Sequence, residues 1–183
     1  MWKYLKSAQD QNSWFQHEGE EIVFWGRSNV GKSSLINSLA ESKVAKTSST
    51  PGRTRLINYF ETTNKKIVVD LPGYGFAKMS KKDQDKISSI IDLYFSSSSN
   101  QKTVCLLIDA KIGFLPIDLE MIEYLNQKNI HFDIIITKID KANQAQMHKV
   151  KKQALTFSIN INVFLVSSTK KKGISDILEF FKL

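Results

Sequence analysis

Residues 26–33, Gly-Arg-Ser-Asn-Val-Gly-Lys-Ser, constrain the fold of this chain more than any other stretch. The apolar run 21–25 before them predicts a strand, and Leu35, Ile36 and Leu39 after them recur at helical spacing. A glycine-rich turn of the form G-x-x-x-x-G-K-[ST] between a strand and a helix is typical of a phosphate-binding loop. We therefore predict such a loop here, with a plain glycine turn in an α/β protein as the alternative.

The residue types of this turn match the chemistry of a nucleotide phosphate. Gly26 and Gly31 let the backbone approach the anion closely, and successive N–H groups and the helix N-terminus then face it. Lys32 is expected to reach the β- and γ-phosphates, and the hydroxyl of Ser33 is expected to bind magnesium.

The bulk properties favour one globular domain over residues 1–183. The chain has 42% hydrophobic and 24% charged residues, which is ordinary for such a domain. Its one cysteine, Cys105, lies in the apolar run 104–108, so we expect a buried thiol. Residues 1–20 lack a continuous apolar segment, and no run approaches a membrane span. We expect a cytoplasmic monomer without a membrane partner.

The net charge of +8 has two interpretations. It can mark a surface that binds a polyanion such as RNA. It can also be the lysine-rich surface of an ordinary protein, because no single long basic tract is present. Charge alone leaves both open.

Strands that alternate with helices predict a mostly parallel sheet with helices on both faces. The six predicted strands are 21–25, 55–62, 66–70, 104–109, 130–137 and 163–166. Besides the helix after the phosphate loop, we expect helices over 82–97, 116–127, 143–157 and 174–181. Turn residues between the second and third strands predict a hairpin, which makes one strand antiparallel. The aromatics of residues 1–20 are expected to pack on the domain edge as an N-terminal extension.

Asp70-Leu71-Pro72-Gly73 follows the third strand. An acidic residue there can hold magnesium through its hydration shell, and the N–H of Gly73 can bind the γ-phosphate. A simple turn is the alternative.

Thr54 lies in a loop rich in Ser, Thr, Gly and Pro before the second strand. Its hydroxyl can close on magnesium and its N–H on the γ-phosphate, which hydrolysis would release. Thr47 and Thr50 are competitors for this role, and loop composition alone is the alternative.

Thr137-Lys138-Ile139-Asp140 follows the fifth strand. The carboxylate of Asp140 can accept from guanine N1–H and from the exocyclic amine, which adenine does not offer on that edge. A buried carboxylate that adenine leaves unpaired discriminates strongly between the two bases. Val166-Ser167-Ser168 follows the last strand and is expected to contact the guanine carbonyl through its backbone. Together, these motifs in this order predict a guanine-nucleotide-binding protein.

A wider resemblance is carried by residues 26–37, 50–54, 58–60 and 70–77, by Thr137-Lys138 with Asp140, and by Ser167-Ser168. In these stretches the chain resembles the EngB family of bacterial ribosome-assembly GTPases, a group of translation-factor-related P-loop proteins. The resemblance implies a Ras-like domain that binds GTP and GDP with magnesium. It also implies a role in assembling the large ribosomal subunit, through rRNA or ribosomal proteins, with consequences for cell division.

The family pattern also implies the site residues. The residues expected to contact nucleotide are Gly26, Arg27, Ser28, Asn29, Val30, Gly31, Lys32, Ser33, Ser34, Gly52, Arg53, Thr54, Arg55, Leu56, Asp70, Leu71, Pro72, Gly73, Thr137, Lys138, Ile139, Asp140, Val166, Ser167 and Ser168. Magnesium ligation falls to Ser33, Thr54 and Asp70, and the catalytic contribution to Lys32, Thr54 and Gly73.

Two positions bear on hydrolysis. Tyr74 stands where Ras-type enzymes carry the glutamine that orients water, so intrinsic hydrolysis should be slow. Related GTPases with asparagine at the position of Asn29 use a potassium ion beside the phosphates, which we hypothesise here too. Tyr74 and Phe76 are expected either to form an exposed aromatic surface or to pack against the following helix.

Two other functional classes remain open from the sequence. The first is a nucleotide-gated RNA- or protein-binding module with negligible hydrolysis. The second is a membrane or septum regulator, which the lack of an evident basic amphipathic helix or lipid anchor disfavours.

Overall fold

The structure is a computed structural model. It describes residues 1–45, 56–75, 80–97, 100–157 and 160–183. Gly52, Arg53, Thr54 and Arg55, predicted to contact nucleotide, lie outside the described residues, as does Phe76.

Seven strands and five α-helices make up the described chain. The strands are β1 (Lys3–Ala8), β2 (Glu21–Gly26), β3 (Ile57–Glu61), β4 (Ile67–Asp70), β5 (Lys102–Asp109), β6 (Phe132–Thr137) and β7 (Val163–Leu165). The helices are α1 (Lys32–Leu39), α2 (Lys81–Ser97), α3 (Pro116–Gln127), α4 (Gln144–Ala154) and α5 (Ile174–Phe181). Short 3₁₀ turns cover Gln11–Ser13 and Ile139–Lys141.

The strands form one sheet in the order β1-β3-β4-β2-β5-β6-β7. Neighbouring pairs from β4 to β7 are parallel, whereas β3 is antiparallel to both β4 and β1. One antiparallel strand in a mostly parallel sheet confirms the predicted fold class. The predicted number of six strands is wrong by one, because β1 adds a seventh beside β3.

β1 belongs to the N-terminal segment for which the sequence predicted only edge packing. Its ladder with β3 is irregular between Tyr4 and Lys6. Trp2, just before the strand, is buried, and the ring of Tyr4 meets that of Phe60 edge-on at 5.8 Å. These two aromatics therefore pack at the edge of the sheet, where the backbone of β1 also pairs with β3.

Two apolar layers cover the two faces of the sheet. One contains buried residues of α2, α3 and α4, and the other contains those of α1 and α5. All six residues of β2 are buried, and alternate side chains enter opposite layers, as expected for a central parallel strand. Cys105, in β5, is fully buried, which confirms that prediction, and burial raises the pKa of its thiol. Within the described residues, no helix combines the length and apolar character needed to cross a bilayer.

Candidate nucleotide-binding site

The predicted phosphate loop lies between the end of β2 and the start of α1. Gly31 precedes the helix with φ of 107°, a left-handed conformation that glycine adopts readily. Asn29 is also left-handed, with φ of 62°, which asparagine tolerates better than most residues. A Cβ on Gly26 would lie 3.0 Å from the backbone oxygen of Leu107, so the loop begins where two strands approach closely. The chain therefore has the backbone turn that the motif predicts.

Lys32 and Asp70 form a buried ion pair between the first turn of α1 and the end of β4. The other carboxylate oxygen of Asp70 lies 3.4 Å from Nδ2 of Asn58, a residue of the resemblance for which the sequence predicted no role. A nucleotide phosphate that binds Lys32 must compete with this carboxylate for the ammonium group.

The oxygen atoms near the phosphate loop are suited to magnesium. The hydroxyl of Ser33 and the carboxylate of Asp70 are hard oxygen donors, which magnesium prefers, and magnesium usually keeps several waters and substrate oxygens as its other ligands. The described residues contain no cluster of three or more His, Cys, Asp or Glu side chains that could hold a metal alone. The donor set therefore fits an ion shared with a nucleotide.

The segment after β4 runs beside the phosphate loop. The N–H of Tyr74 donates to the carbonyl of Gly26 at 3.2 Å, and the N–H of Ser28 donates to the carbonyl of Tyr74 at 3.0 Å. A Cβ on Gly73 would lie 3.0 Å from the Gly26 oxygen and 3.1 Å from the Ser28 nitrogen. Glycine at position 73 therefore permits this close approach of two backbones.

Tyr74 is buried, which favours the packing alternative over an exposed aromatic surface. Its hydroxyl donates to Oδ1 of Asp118 at 2.9 Å, and its ring meets the ring of Trp25 edge-on at 5.3 Å. Burial, and then the charge of Asp118, raise the pKa of Tyr74 far above its usual value. The tyrosine hydroxyl thus faces α3 and is engaged there.

Arg27 also turns toward α3. Its Nη2 donates to the carbonyl of Gly113 at 2.8 Å, and its Nε lies 3.1 Å from Oδ1 of Asp118, although that N–H is not directed at the oxygen. Asp118 is fully buried and accepts from the N–H of Leu115 at 2.7 Å. The guanidinium of Arg27 therefore contacts α3 and the loop before it, and only the backbone N–H of Arg27 is placed to bind a phosphate.

Residues 137–140, the predicted guanine motif, are connected to the phosphate loop by the hydrogen bonds of two side chains. Thr137 is buried, and its hydroxyl lies 2.7 Å from the carbonyl oxygen of Val30. Lys138 Nζ donates to the carbonyl of Asn29 at 2.6 Å and pairs with Asp109 at 2.8 Å. Burial alone would raise the pKa of Asp109, but hydrogen bonds from Lys138 and from backbone N–H groups lower it below its usual value. These contacts fix the stem of Lys138 across the loop.

Asp140 is exposed in this structure. The hydroxyl of Ser167 donates to its Oδ1 at 2.6 Å, and this hydrogen bond lowers the pKa of Asp140. Ser167 itself is buried at the end of the sheet. The strand that brings Ser167 into place therefore orients the carboxylate while leaving it open to solvent.

The structure brings most of the predicted residues to one edge of the sheet. The phosphate loop follows β2, the Asp70–Gly73 segment follows β4, the guanine motif follows β6, and Val166-Ser167-Ser168 follows β7. The carboxyl ends of parallel strands meet at this edge, where open α/β sheets bind ligands. Leu56 is described and exposed just before β3, on the other side of the segment left undescribed.

Sequence reasoning missed Asp109 and Asp118, and it placed Asn58 in the family resemblance without giving it a role. The position of Asp109 at the end of an apolar strand offered a signal, because that is where site residues of parallel sheets occur. Asp118 offered none, because its contact with Tyr74 depends on tertiary packing.

Comparisons with known proteins agree with this geometry. A family model described as a 50S ribosome-binding GTPase matches residues 21–138. The "Probable GTP-binding protein EngB" of Metamycoplasma arthritidis is 72% identical over 183 residues, covering 100% of both chains. The protein of the same name from Mycoplasmopsis synoviae is 45% identical, covering 98% of this chain and 97% of that one. A crystal structure of a probable GTP-binding protein engB superimposes with a TM-score of 0.71 at 27% identity, covering 88% of this chain and 97% of the other.

Proposed function

The chain belongs to the EngB family of GTP-binding proteins, and from that premise we propose that it is a GTP-hydrolysing switch that assists assembly of the large ribosomal subunit. The matching family model is described as a 50S ribosome-binding GTPase, which supports this partner. The observation that carries the proposal is the contact of Thr137 and Lys138 with the phosphate loop, which sets a guanine-recognition motif beside a phosphate site.

The wider biological setting is part of the same proposal. The whole chain, residues 1–183, acts as one GTPase domain, with residues 1–20 as an N-terminal extension packed on it. It works as a cytoplasmic monomer on precursors of the large subunit, contacts their rRNA or proteins, and supports normal cell division and septation. The charge of +8 is compatible with an rRNA contact.

The site residues have separable roles in this proposal. Lys32 exchanges its ion pair with Asp70 for contacts with the β- and γ-phosphates. The ligands that would hold magnesium are Ser33, Thr54 and Asp70. Bound there, the ion would neutralise the charge that develops on the phosphates. Gly73 gives its N–H to the γ-phosphate. Asp140, held by Ser167, accepts from the guanine base and selects it over adenine. The remaining nucleotide contacts are proposed for the other residues of the five segments 26–34, 52–56, 70–73, 137–140 and 166–168.

Slow intrinsic hydrolysis is proposed because the residue after Gly73 does not direct water. The hydroxyl of Tyr74 donates to Asp118 within α3, so it is not free to orient an attacking water. Stimulation by ribosomal subunits would supply what the isolated chain lacks.

A potassium ion beside the phosphates is proposed as a further source of charge stabilisation. Asn29 is exposed in the phosphate loop, so its amide oxygen can serve as a ligand. Hydrolysis should be faster in potassium than in sodium buffer, and Asn29→Gly, which tolerates the positive φ, should abolish the difference. Equal rates of the parent protein in both salts, with and without ribosomes, would refute this ion.

The ribosome proposal is tested by co-sedimentation with isolated ribosomal subunits, comparing GDP with a non-hydrolysable GTP analogue. Selective retention on large subunits with the analogue is the expected result. Lys32→Ala serves as a variant impaired in nucleotide binding, and Asp140→Asn as a second one at an exposed position. Equal or absent retention in both nucleotide states would refute the proposed partner.

A nucleotide-gated binding module with negligible turnover is the second candidate, favoured by the engaged hydroxyl of Tyr74. In that case the chain binds its partner only when GTP is bound, and hydrolysis plays no part. Single-turnover hydrolysis with and without large subunits separates the two. Stimulation supports the hydrolysing switch, and its absence in both potassium and sodium supports the gated module.

A further inference from the structure

Asp118 contacts the loop after β4 and the phosphate loop at once, through Tyr74 and Arg27. We propose that Asp118 is a positioning residue that, through the hydroxyl of Tyr74, holds Gly73 where its N–H can receive a γ-phosphate. This inference rests on the proposed role of Gly73 in GTP binding. It assigns a function to a residue of α3 that the nucleotide motifs do not include.

The backbone on both sides of Gly73 is held. On one side the N–H of Leu71 donates to the carbonyl of Phe24 at 3.1 Å, which continues the ladder of β4 with β2. On the other side Tyr74 exchanges two backbone hydrogen bonds with the phosphate loop. Among the described residues, the N–H of Gly73 itself has no hydrogen-bond partner. Gly73 therefore lies between two anchored neighbours.

The anchor downstream of Gly73 depends on Asp118. Tyr74 is the last buried residue before the loop turns outward, since Gly75 is exposed. Its hydroxyl is attached to a carboxylate that the N–H of Leu115 and the guanidinium of Arg27 fix from two other directions. Without this attachment, Tyr74 would keep its backbone hydrogen bonds, its ring contact with Trp25 and its packing in the apolar layer, but would lose its hydrogen bond to α3.

The consequence should be selective for the γ-phosphate. GDP would contact the backbone of the phosphate loop and the guanine motif, neither of which depends on the Tyr74 hydroxyl. A GTP analogue would also use Gly73, whose N–H must point at the γ-phosphate for the bond to form. An N–H hydrogen bond prefers an angle above about 150° and weakens steeply below about 120°, so a displacement that turns the N–H of Gly73 away from the γ-phosphate should reduce analogue binding.

The test removes one oxygen atom, by Tyr74→Phe, and keeps the ring and both backbone hydrogen bonds. The dissociation constants of fluorescent GDP and of a fluorescent non-hydrolysable GTP analogue are measured for each variant. We expect analogue binding to weaken about tenfold, within the range for loss of a hydrogen bond to a charged group, while GDP binding changes less than about twofold.

The matched control is Tyr124→Phe. The hydroxyl of Tyr124 also donates to an aspartate, Asp92 at 3.0 Å, and its ring also lies beside Trp25, with centroids 6.3 Å apart. Among the described residues, no hydrogen bond joins the side chain of Tyr124 to the loop after β4 or to Asp118. Tyr124→Phe should therefore leave the ratio of the two dissociation constants unchanged.

Asp118→Asn is the second variant. The amide has one acceptor oxygen, so it cannot serve Tyr74, Leu115 and Arg27 as the carboxylate does, and the ratio should shift in the same direction. Its melting temperature is recorded, and if it fails to fold, Tyr74→Phe alone decides.

An unchanged ratio in Tyr74→Phe, or equal weakening of both nucleotides, would overturn the inference, because a purely structural role predicts a lower melting temperature without selectivity. If the parent protein binds neither guanine nucleotide, the proposed function fails, and the inference fails with it.

Discussion

Replacing Thr137 with valine should weaken guanine-nucleotide binding, because it removes a hydrogen bond between the guanine motif and the phosphate loop. The substitution keeps the side-chain shape and removes the hydroxyl that lies 2.7 Å from the Val30 carbonyl and 3.2 Å from that of Ile108. Both the residue and its neighbours are buried, so water cannot replace the lost donor. Thr137 is therefore a sensitive probe of the link between the guanine motif and the phosphate loop.

The magnitude follows from leaving the Val30 carbonyl without this donor. An unsatisfied buried acceptor costs about 1–3 kcal/mol of the free energy of unfolding. For a chain of this size that corresponds to a fall in melting temperature of roughly 2–12 °C. The loosened loop should weaken both GDP and a GTP analogue by roughly three- to tenfold, equivalent to about 0.6–1.4 kcal/mol.

The assay is a thermal melt of each variant together with titrations of fluorescent GDP and GTP analogue. Thr62→Val is the matched control, because Thr62 is equally buried at 3% exposed and its hydroxyl accepts from the Lys66 N–H at 3.1 Å, at the hairpin of β3 and β4. Both variants should have a lower melting temperature than the parent protein, and only Thr137→Val should bind GDP and the GTP analogue more weakly. Equal affinities in the two variants would refute the coupling between motif and loop.

Three further outcomes follow from the described contacts. The pKa of Asp109 is lowered by folding, so its contribution to stability is present above its unfolded pKa of about 3.9 and is lost as the pH falls through the folded value. The difference in unfolding free energy between the parent protein and Asp109→Asn should therefore be larger at pH 7 than at pH 3, measured by urea titration, and a constant difference would contradict the ion pair with Lys138. Ser167→Ala should release Asp140 and reduce the preference for GTP over ATP by roughly tenfold in competition binding, whereas an unchanged preference would show that Asp140 needs no such support. Cys105 should react with a thiol reagent only after unfolding, because burial raises its pKa, and rapid labelling of the native protein would contradict this.

Local patterns were sufficient to predict the fold class and the strand, turn and helix around residues 26–33. The strand 21–25, the glycine turn and the helix behind it differ sharply in hydrophobic period, so their boundaries can be found without tertiary information. The same is true of the guanine motif after β6, whose position follows from the end of an apolar run. Each of these signals lies within about a dozen residues.

The features that were missed depend on contacts between distant residues. β1 has a mixed Lys-Tyr-Leu-Lys sequence and an irregular register, so it shows no clean alternation, and its partner β3 is some fifty residues away. Asp118 lies 44 residues from Tyr74, and its carboxylate could equally have been a solvent-exposed helix cap.

The outermost strands of the sheet determine how another molecule can attach to it. Among the described residues the two edges are β1 and β7. β1 carries two lysines and an irregular register, and β7 has three residues, Val163–Leu165. Charged, bulged or very short edges discourage the addition of a further strand from another chain. An extended segment of another chain would therefore find little backbone to pair with at either edge, and a partner would have to contact the helices or the loops at the carboxyl ends of the strands.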